Sequence, residues 1–222
     1  MKRIGVILTI IMLVVLVACK RSPALATFNE PQPANTENLS KFPNSLQGQY
    51  LSLEDKSILS IEGKLIERIY DFDYKVSQAE LDSTFQLNGD TLIDIETNEK
   101  TIIKYAGDSL IVHYHHIDTL FQMDYDNVVR KVKGYFFLNT RYDKDSWEVK
   151  KMQLEKDQLI ISCISMDDDI QKLKEITGTL QEITDTLQAI ELPYNFTVTK
   201  GQFEQFVKND GFSDRKIFIK QK

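Results

Sequence analysis

The sequence predicts a mainly β (α+β) protein: an antiparallel meander or partly closed barrel that ends in a strand-helix-strand unit. Three observations predict it. A turn-plus-aliphatic phrase recurs as GDTLI at 89–93, GDSLI at 107–111, KDQLI at 156–160 and, more loosely, EDKSIL at 54–59. Apolar and polar residues alternate with period two between these turns. A capping box, an apolar stripe and a glycine stop mark one helix near the C-terminus.

The recurring phrase has a physical reading. Glycine or a neighbouring polar residue supplies the turn, aspartate bonds its own backbone there, and the aliphatic pair starts the next strand. The spacing is too irregular for a solenoid repeat, so the phrase reads as shared turn chemistry.

Element by element, ERIYDFDYKV puts Tyr70, Phe72, Tyr74 and Val76 on one strand face and Asp71, Asp73 and Lys75 on the other. Ser77 and Glu80 in SQAELDS form an SxxE capping box for one short helical turn. VVRKVKGYFFL reads as a single central strand with Val128, Val132, Phe136 and Leu138 on one face, buried on both faces at its end. In SWEVKKMQL, Trp147 and Val149 share a parity that Met152 and Leu154 do not, which predicts a bulge near Lys150. LIISCIS is a buried strand, with Cys163 as a small core hydrophobe.

MDDDIQKLKEITG predicts a helix near 167–178. The acids Asp167 to Asp169 sit at its positive end, Ile170, Leu173 and Ile176 or Thr177 line one side, and Gly178 ends it. TLQEITDTLQAI fits either helix or strand. The second helix lies near 199–210: Thr199 and Gln202 make the capping box, and Phe203, Phe206 and Val207 make the stripe. Gly211 takes the left-handed stop, and Phe212 closes onto Val207.

The N-terminus has a different character. Met1, Lys2 and Arg3 precede fifteen uncharged residues, Ile4 to Ala18, which is the layout of a secretory signal. A spanning helix needs roughly 20 apolar residues, and this run is shorter. The end of the run, Leu16, Val17 and Ala18, together with Cys19 resembles the lipobox of bacterial lipoproteins. That resemblance implies cleavage after residue 18 and acylation of Cys19, which becomes the membrane anchor. Each buried methylene contributes about 0.8 kcal/mol, so several acyl chains are needed for a firm hold. Lys20, Arg21 and Ser22 follow with no acidic run, which by the same resemblance implies the outer membrane, facing the periplasm.

Four of the five prolines, Pro23, Pro31, Pro33 and Pro43, fall between Cys19 and residue 45. Their segment has few apolar residues and little periodicity, so 19–45 is expected to be a flexible tether and 46–222 a single β-rich domain. The body, from the Thr199 capping box to the aromatic strand KGYFFLN and the WEV hairpin, also resembles lipoproteins of the uncharacterised kind common in the Bacteroidota. That likeness is one of general style, low proline with many Lys, Asp, Ile and Tyr, and it transfers no functional residue.

Composition narrows the partners. The chain carries 27 basic and 33 acidic residues, and removing Lys2 and Arg3 leaves 25 against 33, a mature net charge near −8. Such a surface repels phosphate backbones, which argues against nucleic acid. If Cys19 is acylated, Cys163 has no disulfide partner. Nothing in the sequence calls for a cofactor: GxSxG, GxxxxGK(S/T), GxGxxG and CxxC are all absent.

The sharpest chemical candidates are His113 and His115 in VHYHH, where all three histidines occur. On a strand they project from one face about 7 Å apart, a spacing at which two imidazoles share a zinc ion, while His116 takes the other face. Further ligands would be scattered carboxylates such as Asp118 or Glu62. The plainer account puts the two histidines on the wet face of a strand whose other face carries Leu110, Val112 and Tyr114. Alternation explains Asp71 and Asp73 as a solvent face in the same way. The Asp167–Asp169 triplet lacks the glycine and glutamate of a calcium loop.

Three functions follow as expectations. The first is a tethered, non-enzymatic binding or interaction module whose sheet holds another envelope protein or a small apolar ligand in an aromatic-lined cavity. The second is a metal-binding protein or metal-dependent hydrolase using His113 and His115. The third is a structural or assembly accessory of the outer membrane.

Overall fold

Each of the four turn phrases places one residue in the left-handed region: Lys56 at φ 63°, Gly89 at 60°, Gly107 at 64° and Lys156 at 55°. Two-residue hairpin loops need a positive φ at a central position, and glycine adopts it without a Cβ penalty. Three of them close a hairpin with two residues between paired strand ends: Asn88↔Thr91, Ala106↔Ser109 and Glu155↔Gln158. Aspartates that bond their own backbone also occur, at Asp55, Asp94 and Asp124. Fold class follows directly from this turn chemistry.

The computed structural model describes residues 24–164, 166–178 and 193–221. The expected signal segment, Cys19 and the TLQEITDTLQAI segment lie outside the described residues. The protein is mainly β, and among the described residues the sheet does not close into a barrel. The expected single domain divides into two compact units, one of residues 69–117 and one of residues 24–68 with 118–221.

The larger unit is built on an antiparallel run. Its strands include β1 (Ala26–Phe28), β2 (Gly48–Ser52), β3 (Ile58–Glu62) and the start of β4 (Leu65–Ser77). After the end of β8 (Ser109–Gln122) come β9 (Asn127–Val132), β10 (Tyr135–Asp143), β11 (Ser146–Glu155) and β12 (Gln158–Cys163). Helix α1 (Met166–Thr177), β13 (Tyr194–Phe196), helix α2 (Lys200–Lys208) and β14 (Asp214–Lys220) complete it. The neighbours run β9, β10, β11, β12, β14, β2, β3. β1 pairs antiparallel with β11 and parallel with β13, so the tail is the expected strand-helix-strand unit.

Both faces of this sheet are covered. One face buries Phe42, Tyr50, Leu59, Phe136, Leu138, Met152 and Phe218, and the other buries Phe28, Phe137 and Val149 beneath α1 and α2. The helical layer is aromatic: the Phe137 ring lies 5.0 Å from Phe203, and Phe206 lies 5.2 Å from Phe212. A fully buried side chain of this size contributes about 1.5–3 kcal/mol relative to exposure. The Thr199 and Gln202 capping box forms, and Gly178, at φ 71°, follows the last turn of α1. Asp169 is fully buried in α1, where its Oδ2 accepts from the Ser213 amide and hydroxyl at 2.8 Å each.

Several expectations are corrected. VVRKVKGYFFL is a hairpin, since Lys133 and Gly134 are both left-handed and Tyr135 pairs with Val132. The two-residue turn inverts parity, so Val129 and not Val128 joins Phe136 and Leu138 in the core. β11 carries no bulge near Lys150, because both its faces are buried and no register repair is needed. The left-handed residues after α2 are Asp210 and Phe212, not Gly211. Gly211 is small because a Cβ there would strike the Phe206 ring. Phe212 accordingly closes on Phe206, Phe203 and Phe137.

The largest correction concerns the tether, which from residue 24 onward is part of the fold. Phe28, Gln32 and Phe42 are completely buried. Buried Asn139 holds Gln32 by two bonds, accepting from its amide at 2.5 Å and donating to its carbonyl at 2.9 Å. The Arg130 guanidinium donates to the Pro31 and Pro33 carbonyls and to Asn38. Prolines here leave carbonyls for these distant donors, a pairing that local composition does not reveal. Phe28→Ala is expected to cost about 3–5 kcal/mol in chemical denaturation of the full chain. A loss below about 0.5 kcal/mol would mean that this segment is a loose tether after all.

Candidate metal centre

The smaller unit is a five-stranded piece of meander. Residues 69–77 of β4 lead into a 3-10 turn at Gln78–Glu80, and the expected Ser77–Glu80 capping box closes it. Then come β5 (Phe85–Asn88), β6 (Thr91–Asp94), β7 (Lys100–Ala106) and residues 109–117 of β8, in the spatial order β4, β8, β7, β6, β5. The chain thus returns after three strands to lay β8 beside β4.

One face of this sheet is apolar. Leu92, Ile103, Leu110 and Val112 are buried there, with Val76, Leu81 and Phe85 against them. Further along the same face the rings meet: Phe72 with Tyr114 at 5.3 Å, and Tyr70 with both Tyr114 and His116 at 6.4 Å. Period-two alternation then sends Asp71, Asp73, His113 and His115 to the opposite face.

On that face β4 supplies carboxylates and β8 supplies imidazoles, matched pair by pair. His113 Nδ1 lies 2.9 Å from Asp73 Oδ1, and His115 Nδ1 lies 3.2 Å from Asp71 Oδ2. His113 also turns Nε2 toward Asp71 Oδ1, at 3.7 Å. Each of the four side chains is 51–58% exposed. Exposed ion pairs of this kind contribute only about 0–1 kcal/mol, so the cluster is not needed for stability.

Asp71, His113 and His115 each offer one ligand atom, all within 4.8 Å of one another. In tetrahedral zinc sites, bonds of about 2.0–2.1 Å place ligand atoms roughly 3.3 Å apart. The closest approaches, 3.2 Å to His115 Nδ1 and 3.7 Å to His113 Nε2, run to different oxygens of Asp71, so an ion held by one atom from each residue would draw the three closer together than the 4.8 Å within which they lie. Asp73 completes the logic by holding His113 Nδ1, which fixes the tautomer and aims Nε2 at the shared point. An ion held by these three side chains alone would keep at least one position for water.

Of the residues singled out from sequence, His113 and His115 do share a face, and His116 lies on the other one with the tyrosines. The carboxylate grouped with them is that of Asp71, rather than Asp118 or Glu62. Asp71 and Asp73 lie on the solvent face that alternation predicts, and that face also holds the imidazoles. Identical i, i+2 spacing in DFD and HYH was the available signal. The 40-residue separation hid their pairing. Cys163 is half-buried at the end of β12, and burial pushes its thiol pKa up, against any reactive role. Asp169 is a structural staple.

Comparison with protein-family models, with curated proteins and with solved structures finds no match to this chain. Among the described residues, no helix is long and apolar enough to cross a membrane.

Proposed function

We propose that this chain is a lipid-anchored, non-enzymatic binding module of a bacterial cell envelope, and that its ligand is a divalent transition-metal ion held by Asp71, His113 and His115. The observation that carries the reading is the convergence of those three ligand atoms within 4.8 Å. Two imidazoles and a carboxylate form a borderline donor set that suits Zn(II), Cu(II) or Ni(II) better than Ca(II) or Mg(II). Half-exposed ligands favour holding an ion over hydrolysis, because a hydrolase gains from excluding water around its substrate. An apolar ligand inside the larger unit is less supported, since Phe42, Tyr50, Phe121 and Phe136 occupy that interior.

The anchoring half of the proposal rests on the lipobox resemblance at LVAC, with acylated Cys19 in the bilayer and the sheet on the periplasmic side of the outer membrane. The mature acidic surface agrees with attraction of cations.

Calorimetric titration of the full chain with Zn(II) is expected to give one ion per chain. Asp71→Asn and the His113→Ala, His115→Ala double variant should each weaken it at least about tenfold, and Asp73→Asn by about 10–100-fold. Equal binding by the double histidine variant would overturn the site. For the anchor, Cys19→Ala is expected to abolish labelled-palmitate incorporation and move the chain out of the membrane fraction. Unchanged acylation and fractionation would remove the lipoprotein reading.

A further inference from the structure

The larger unit has a second candidate site, independent of the metal reading. A groove of about 820 Å³ runs between α2 and the sheet, with Lys151 on its floor, Tyr135, Val132 and Val207 along it, and Lys208 and Arg215 among its other lining residues. Lys151 is only 5% exposed, on a strand whose neighbours at that position are Phe137 and Ser162. Its ammonium lies 5.4 Å from the Tyr135 ring centre and 5.9 Å from that of Phe212.

A buried ammonium is costly unless an anion faces it, and ring faces compensate only in part. Every acid lining the groove is already committed elsewhere. Glu204 pairs with Lys133 at 2.6 Å, Asp210 pairs with Arg215, and Glu155 accepts from the Gln153 amide. Deeper in, Asp169 is held by Ser213 and faces Lys172 at 3.5 Å. Among the described residues no ion pair includes Lys151. Burial, then Arg215, hold its ammonium below the usual lysine range, against the longer-range pull of Asp210, Asp169 and Glu155.

The groove therefore presents a positive floor that lacks a counter-ion, inside a protein that is acidic overall. Its lining has four basic residues, Lys133, Lys151, Lys208 and Arg215, against three acidic ones, Glu155, Glu204 and Asp210. That balance of one positive charge suits a monoanion better than a phosphate dianion. The walls of Tyr135, Val132 and Val207 suit an apolar body behind the charge. We infer that this groove binds a small organic carboxylate, whose anionic end pairs with Lys151 and whose apolar body lies along Tyr135, Val132 and Val207.

Benzoate, its neutral isostere benzamide and inorganic phosphate are suitable probes. Each is titrated calorimetrically into the full chain in the presence of a chelator, which keeps any metal at Asp71 from binding the anion. Benzoate is expected to bind saturably, with benzamide and inorganic phosphate at least about tenfold weaker, and Lys151→Met should lose at least about tenfold of the benzoate affinity while keeping its thermal midpoint. Benzamide binding as well as benzoate, phosphate binding more tightly than benzoate, no saturable benzoate binding, or unchanged benzoate affinity in a folded Lys151→Met protein would each overturn the inference. Should that variant not fold, the benzoate-to-benzamide ratio on the unaltered chain decides alone.

Discussion

The structure depends on hairpin register, and register is set by a few left-handed residues. In a strand the side-chain period is two, so a turn one residue longer or shorter moves every following side chain to the other face. Lys133 and Gly134 illustrate this: the two-residue turn pairs Tyr135 with Val132 and brings Val129 beside Leu138 in the core. Gly107 does the same for β8, where pairing of Ala106 with Ser109 puts Leu110 and Val112 on the apolar face. His113 and His115 are consequently on the polar face, opposite Asp73 and Asp71. A slip by one residue would press both imidazoles against the tyrosines.

The two units use this constraint differently. The larger one covers its sheet on both sides, so β10 sends Phe136 and Leu138 into one core and Phe137 into the other. A charged residue placed there is conspicuous, and Lys151, beneath Tyr135 and Phe212, is such a residue. The smaller unit covers one face through Leu92, Ile103, Leu110 and Val112 and leaves the other to solvent. Side chains on a solvent face have little part in folding energetics. The two imidazoles and two carboxylates that meet there contribute little to stability, which leaves them free to serve the proposed ion.

What the sequence disclosed was local. Turns at Gly89, Gly107 and Lys156, both capping boxes and the split of Tyr70, Phe72 and Tyr74 from Asp71 and Asp73 follow from neighbours in the chain. What it hid was nonlocal. Asn139 and Arg130 fasten Gln32, Pro31 and Pro33 from about 100 residues away, so a segment that reads as a proline-rich leash is folded. Gly211 looked like a helix stop, but its smallness serves the Phe206 ring beside it. The candidate site was half legible: its two histidines share the motif HYH, while Asp71 joins them only because β8 returns to β4 after three intervening strands.

The central claim is that register assembles a metal site from β4 and β8. The most direct measurement is anomalous diffraction from crystals of the zinc-loaded protein. The account predicts one strong peak lying about 2.0–2.2 Å from Asp71 Oδ, His113 Nε2 and His115 Nδ1, with Asp73 still on His113 Nδ1. A peak bound by other residues, or a loaded crystal with no peak between β4 and β8, would contradict it.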